Sequence, residues 1–120
     1  MSRKNIEKYI PKAIEVLNEK SKNGKIPSAY NGYISSFGAS IIQSGLKPTL
    51  ALFENRQANT KEDKTILPKL ILKILDENTT ETSLLRYVIN NNEELLKPKI
   101  IDIAIALKLS IRTFELDKGE

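Results

Sequence analysis

Histidine, cysteine and tryptophan are all missing from this 120-residue chain. Without histidine, the commonest general acid–base group and metal ligand is gone. Without cysteine, there is no thiol nucleophile, no thiolate for zinc and no disulfide. A disulfide-free chain suits a reducing compartment, and the expected location is cytoplasmic. No apolar run reaches the length of a membrane span, and the first residues lead into an amphipathic segment rather than an apolar signal core. No membrane partner is expected. The alternation of a half-buried strand is also absent. So are the P-loop and the dinucleotide-binding glycine pattern. The carboxylates are scattered, and the pair Glu93–Glu94 is accounted for by the positive end of a helix. No catalytic residue, metal site, cofactor or small-molecule ligand is expected.

Acid is missing from one long stretch. Between Lys20 and Phe53 there is no aspartate or glutamate, while Lys20, Lys22, Lys25 and Lys47 are present. The whole chain carries 19 Lys and Arg against 15 Asp and Glu, a net charge of +4. The sum is modest. The distribution predicts a local positive field, the usual footprint of a polyanion partner.

What is present is helical periodicity. A first helix is expected over about 5–22, with Ile6, Tyr9, Ile10, Ala13, Ile14 and Leu17 on one face. Pro11 should kink it or mark its true start, and Gly24 should cap it. A second helix is expected over 28–44, with Tyr30, Tyr33, Ile34, Phe37 and Ile41 inward. Its other side is small or neutral: Gly32, Ser35, Ser36, Ala39 and Gln43. Two interior glycines, Gly32 and Gly38, each cost about 1 kcal/mol relative to alanine. They predict that another backbone comes close there. Gly45 should end this helix and Pro48 open a short third one.

Residues 56–64 read as a polar loop. A fourth helix is expected over 65–76, and a fifth, capped by Thr79 or Thr80, carries Leu84, Leu85, Val88 and Ile89. Asn92 should start the last helix, which runs to Leu116. The expected fold is an all-α, compact single-domain bundle of about five to six helices over residues 1–120.

The last helix carries two apolar faces. Ile100, Ile103, Ala104, Leu107, Ile111 and Phe114 form the core face. Ile101, Ile105, Leu109 and Leu116 form a second stripe, with Lys108 and Arg112 set into it. A small bundle needs only the first, so the second is a candidate subunit interface. Tyr9, Tyr30 and Tyr33 lie on core stripes, where a partly buried ring with its hydroxyl at the rim is favoured over base stacking.

Two stretches resemble a known family. Gly32-Tyr33-Ile34-Ser35-Ser36-Phe37-Gly38-Ala39-Ser40-Ile41-Ile42-Gln43-Ser44-Gly45-Leu46-Lys47-Pro48-Thr49-Leu50-Ala51-Leu52-Phe53 is similar to the signature of the small helical subunit of the type III-B CRISPR effector, the Cmr complex. Ala106-Leu107-Lys108-Leu109-Ser110-Ile111-Arg112-Thr113-Phe114 resembles that family's C-terminal motif. The resemblance implies a non-catalytic subunit of an RNA-guided antiviral ribonucleoprotein. Its partners would be other Cmr subunits, guide RNA and target RNA. Several copies would line up beside the subunits that hold the guide, and cleavage would belong elsewhere.

The candidate phosphate contacts are then Lys20, Lys22, Lys25, Lys47, Lys108 and Arg112, with Ser35 and Ser36 as secondary candidates. The competing reading is a helix-turn-helix DNA-binding regulator, which needs an exposed recognition helix rich in Arg, Asn, Gln or Ser. A small enzyme using lysine and aspartate is a third.

Overall fold

Asn92 opens the longest helix as its sequence predicts. Its side-chain oxygen accepts the N–H groups of Glu94 (2.9 Å) and Leu95 (3.3 Å), filling donors that the first turn leaves unpaired. Glu93 and Glu94 add negative charge at that positive end. The computed structural model describes residues 3–55 and 63–118. Among them it has six helices: α1 (Arg3–Lys20), α2 (Ser28–Ser44), α3 (Leu46–Phe53), α4 (Ile66–Leu75), α5 (Leu84–Ile89) and α6 (Glu93–Ile111). Two short strands, β1 (Lys25–Pro27) and β2 (Glu115–Asp117), pair in parallel. Apart from Asp63 and Lys64, the polar loop expected over 56–64 lies outside the described residues.

α6 is the spine. It packs most extensively on α1 and also touches α2, α4 and α5. Ile100, Ile103, Ala104, Leu107 and Ile111 are buried, as expected of its core face. Asp102, Ala106 and Ser110 are buried as well, so the helix is covered on more than one side. Phe37 from α2 meets Phe53 from α3 edge-on, with centroids 5.3 Å apart. Glu54 ties α3 to α5: its carboxylate accepts the Ser83 hydroxyl (2.6 Å) and the Leu85 N–H (3.0 Å).

Several expectations need correction. α1 runs through Pro11 without a break and stops at Lys20. Gly24 is not its cap. Asn23 (φ +57°) and Gly24 (φ +78°) are the two central residues of a tight turn. Lys22 and Lys25 flank it and exchange two backbone hydrogen bonds of 2.8 and 3.0 Å. Positive φ at both positions is the type I′ pattern that Asn-Gly favours.

α5 is capped by Ser83, whose side chain accepts the Arg86 N–H, rather than by Thr79 or Thr80. α6 ends at Ile111, not Leu116. There Thr113 turns the chain: its N–H (3.0 Å) and its hydroxyl (2.7 Å) both reach the Ser110 carbonyl. Phe114 therefore leaves the core face of α6 but stays partly buried beside it. Leu116 sits in β2 opposite the fully buried Ile26.

The glycine expectation also changes. A Cβ built on Gly32 or Gly38 meets nothing within 4 Å. None of the described residues uses the close approach that those glycines permit.

Two tyrosines couple stability to alkali. Tyr87 donates its hydroxyl to Asp76 at 3.0 Å. Burial, then this bond and the carboxylate charge, hold its phenol above the ordinary value of 10.0. Burial and the charge of Asp102 raise Tyr9 too. The folded state then binds more protons than the unfolded one above about pH 10. Stability from these groups is complete below that pH and falls as pH rises through the folded values. Melting temperatures across pH 8–11.5 should drop at the alkaline end. Tyr87→Phe should flatten the drop; an equally steep drop in that variant would exclude Tyr87 as a source.

Candidate functional site

The C-termini of α1 and α6 lie at the same end of the molecule. The chain leaves α1 through a tight turn into β1 and leaves α6 through a turn into β2, and the two strands run parallel. Lys20, Lys22, Lys25 and Arg112 are thereby gathered at one end, all exposed. α2 starts there too and runs antiparallel to α6. Hence Lys108, a turn before the end of α6, reaches the first turns of α2. It donates to Asn31 Oδ1 (2.9 Å) and to the Ser35 hydroxyl. Five of the six candidate phosphate contacts share this end. Lys47 does not: it opens α3 at the far end of α2 and pairs with Glu93 at 3.2 Å.

The acid-free stretch is less one-signed in space than along the chain. Folding brings Glu93 to Lys47 and Glu115 to Lys25, the latter at 3.8 Å. Asp117 stands in β2 beside them, opposite Pro27. Lys20, Lys22 and Arg112 keep no ion pair among the described residues. Among the described residues Lys108 is bonded only to neutral groups, so its charge is oriented but not cancelled by them. Helix C-termini attract cations in any case. Lys22 and Lys25, which lie in no helix, are not explained that way.

Between α2 and α6 runs a groove of about 450 Å³. Ile34, Ser35, Gly38 and Ile42 form one wall, and Ile101, Ala104, Ile105 and Lys108 the other. Its surface is mostly apolar, with Lys108 at the end nearest the lysines. Two of the four proposed interface residues, Ile101 and Ile105, are in it. Leu109 lies outside it on α6, 41% exposed. Leu116 belongs to the small sheet instead.

On the α2 side of the groove, Ser35 and Gly38 stand where the sequence predicts a close approach, while the large apolar residue there, Ile42, is not one the pattern points to. Ile42 is 85% exposed, a large apolar residue with almost no cover. Its signal in the sequence was its place just off the core stripe, beside Ile41. Ser36, Ala39 and Gln43 are likewise exposed, so the small-residue face of α2 is bare.

The turn needed for a helix-turn-helix module is not formed at Gly45. α2 and α3 are joined by that one residue rather than by a turn of three or four. The cation at the start of α3, Lys47, is taken by Glu93. Among the described residues no group of acids is placed to hold a metal. No described helix is long and apolar enough to cross a membrane.

No curated protein and no solved structure matches this chain. A family profile does. That of the CRISPR-associated protein Cas_Cmr5 matches residues 5–102. The match takes in α1 to α5 and the first half of α6, including the stretch 32–53, and stops before 106–114. It covers well over half of the chain in one piece, and the six-helix order runs through it. The chain therefore belongs to the Cas_Cmr5 family of CRISPR-associated proteins, the small-subunit family of the type III-B complex.

Proposed function

We propose that this chain is a non-catalytic scaffold subunit of a cytoplasmic Cmr-type antiviral complex. The groove between α2 and α6 seats a neighbouring protein subunit. The basic end beside it helps line the channel for guide and target RNA. The observation that carries this reading is the uncovered groove itself. Ile42 is left bare, and Gly38 leaves open space that none of the described residues fills. An apolar recess flanked by polar residues suits a contact surface. Lys108 links the two roles, since it closes the groove and faces the lysine-rich end.

Sequence in such a complex is read by base pairing. The protein needs only point charges for phosphates and no base-reading side chains. Lys20, Lys22 and Arg112, exposed and without an ion pair among the described residues, supply them. A subunit used this way needs neither histidine nor cysteine.

Affinity purification of the tagged protein from its own cells tests the assignment. Short RNAs sharing a constant 5′ segment should be recovered together with several larger proteins. Recovery of the chain alone, or with genomic DNA, would sink it. The basic end has its own test within the reconstituted complex. Replacing Lys20, Lys22 and Arg112 together by alanine should leave assembly intact and weaken RNA binding. The slope of log K against log salt should fall by about 2, since each phosphate neutralised on a single strand accounts for about 0.7. An unchanged slope would remove these residues from the RNA path.

A further inference from the structure

A second concavity lies on α4 and α5 and shares no residue with the groove or the basic end. It is a hollow of about 500 Å³. Lys69 and Arg86 stand in its walls, with the hydroxyls of Thr65, Thr82 and Ser83. Pro68, Leu85 and Ile89 form an apolar side, on which Ile89 is 57% exposed.

The charges here are unevenly satisfied. Glu54, the one carboxylate in the wall among the described residues, spends both oxygens on Ser83 and Leu85. On the rim next to it, Glu81 accepts the N–H groups of Thr82 (2.9 Å) and Ser83 (3.1 Å). Glu54 is committed to the fold through both oxygens and Glu81 through one. Neither cation is: Lys69 and Arg86 have no ion pair and no side-chain hydrogen bond among the described residues. Thr65 donates to Asp63, whereas the Thr82 hydroxyl has no partner among them.

The position of Lys69 adds to this. It follows Thr65, Ile66, Leu67 and Pro68 at the start of α4, where the helix dipole disfavours a cation. Lys73 on the same helix has Glu19 for a partner; Lys69 has none among the described residues. A cation kept at a mildly unfavourable place, beside a second one from another helix, suits an anion from outside the chain.

We propose that this hollow binds one nucleotide unit. Its phosphate sits between Lys69 and Arg86 with the Thr82 hydroxyl. Its base and ribose lie on the apolar side made by Pro68, Leu85 and Ile89. The divided wall selects this class over a bare anion, since a free phosphate uses only half of it. The volume falls in the range that encloses small ligands, about 300–1,000 Å³. Either a free nucleotide or one residue of a passing RNA strand presents this chemistry. The proposal does not rest on the RNA role of the basic end, because a different set of residues reports it.

Amide and methyl NMR spectra of the labelled full chain test it. Adenosine 5′-monophosphate should shift the amides of Lys69, Thr82 and Arg86 and the methyls of Leu85 and Ile89. Inorganic phosphate should shift those amides and leave the methyls in place. Lys69→Gln with Arg86→Gln, both exposed positions, should keep the remaining spectrum and weaken binding of the monophosphate about tenfold or more. A short single-stranded RNA shifting the same signals would make the strand the source, and the monophosphate alone would make it a free nucleotide. The proposal is overturned if neither nucleotide probe moves these signals. It is equally overturned if the double variant binds the monophosphate as tightly, or if a glutamate-rich peptide shifts the amides and the monophosphate does not.

Discussion

Gly38→Trp should leave the isolated chain folded and disable it in the complex. Gly38 lies in α2 with open space at its Cβ position, and the groove beside it holds about 450 Å³. An indole there fills the groove from within and collides with whatever occupies it. Overfilling a packed interface costs about 1–3 kcal/mol, or about 5- to 150-fold in affinity. Gly38→Ala is the control. It should stabilise the isolated chain by about 0.5–1 kcal/mol, because it removes backbone entropy from the unfolded state and meets no neighbour. At this length that is about 2–5 °C in melting temperature. Melting of both variants, with competition for assembly against the wild type, reads the two effects separately. Tight assembly by Gly38→Trp would mean that the groove stays empty in the complex.

The opposite signs are the point. A residue kept for the fold loses stability when replaced. Gly38 should gain it, and that gain would put the reason for glycine there outside the chain. The same reasoning applies to Gly32, which is exposed and has no neighbour within 4 Å of a built Cβ.

Helices were legible because they carry periodic signals many residues long. α2 begins at Ser28 and ends at Ser44 as the pattern placed it, and Asn92 caps α6 as expected. The two strands were not legible. Each has three residues, too few to show alternation. Their pairing joins residues about 90 positions apart, such as Lys25 and Glu115. The end of α6 was misplaced for a related reason: Leu116 continues the apolar spacing of a helix that Thr113 has already turned aside.

The site was half legible. Ile101 and Ile105 followed from an apolar stripe that a bundle core does not need. That α2 forms the other wall could not follow from spacing, because it depends on which helix α6 lies against. The charge map changes where tertiary pairing decides it. A run without acids predicts a one-signed surface only if no acid arrives from elsewhere. Glu93 and Glu115 arrive at Lys47 and Lys25. The cations left over, Lys20, Lys22 and Arg112, are a smaller set than the sequence offered.

Gly45→Ala should be among the most destabilising substitutions outside the core, at about 1–3 kcal/mol. Gly45 ends α2 and starts α3 with no residue between them. Its N–H bonds the Ile41 carbonyl at 2.9 Å, and its carbonyl accepts the Thr49 N–H at 3.3 Å. Its backbone sits at φ +95°, ψ 168°, a region that side-chain-bearing L-residues scarcely enter. Space is not the obstacle, since a Cβ there would have its nearest neighbour, Pro48 Cδ, at an ordinary 3.7 Å. The cost is therefore conformational. Urea unfolding should show a lower midpoint with an unchanged slope. D-alanine at the same position, introduced by semisynthesis, should restore the midpoint, because its Cβ accepts positive φ. Equal loss with both isomers would put the cost in packing instead. Held below its midpoint, the L-alanine variant should still join the complex, because Gly45 fixes how α2 meets α3 and leaves the groove face untouched. Gly38→Trp should do the reverse, keeping its stability and losing its partner.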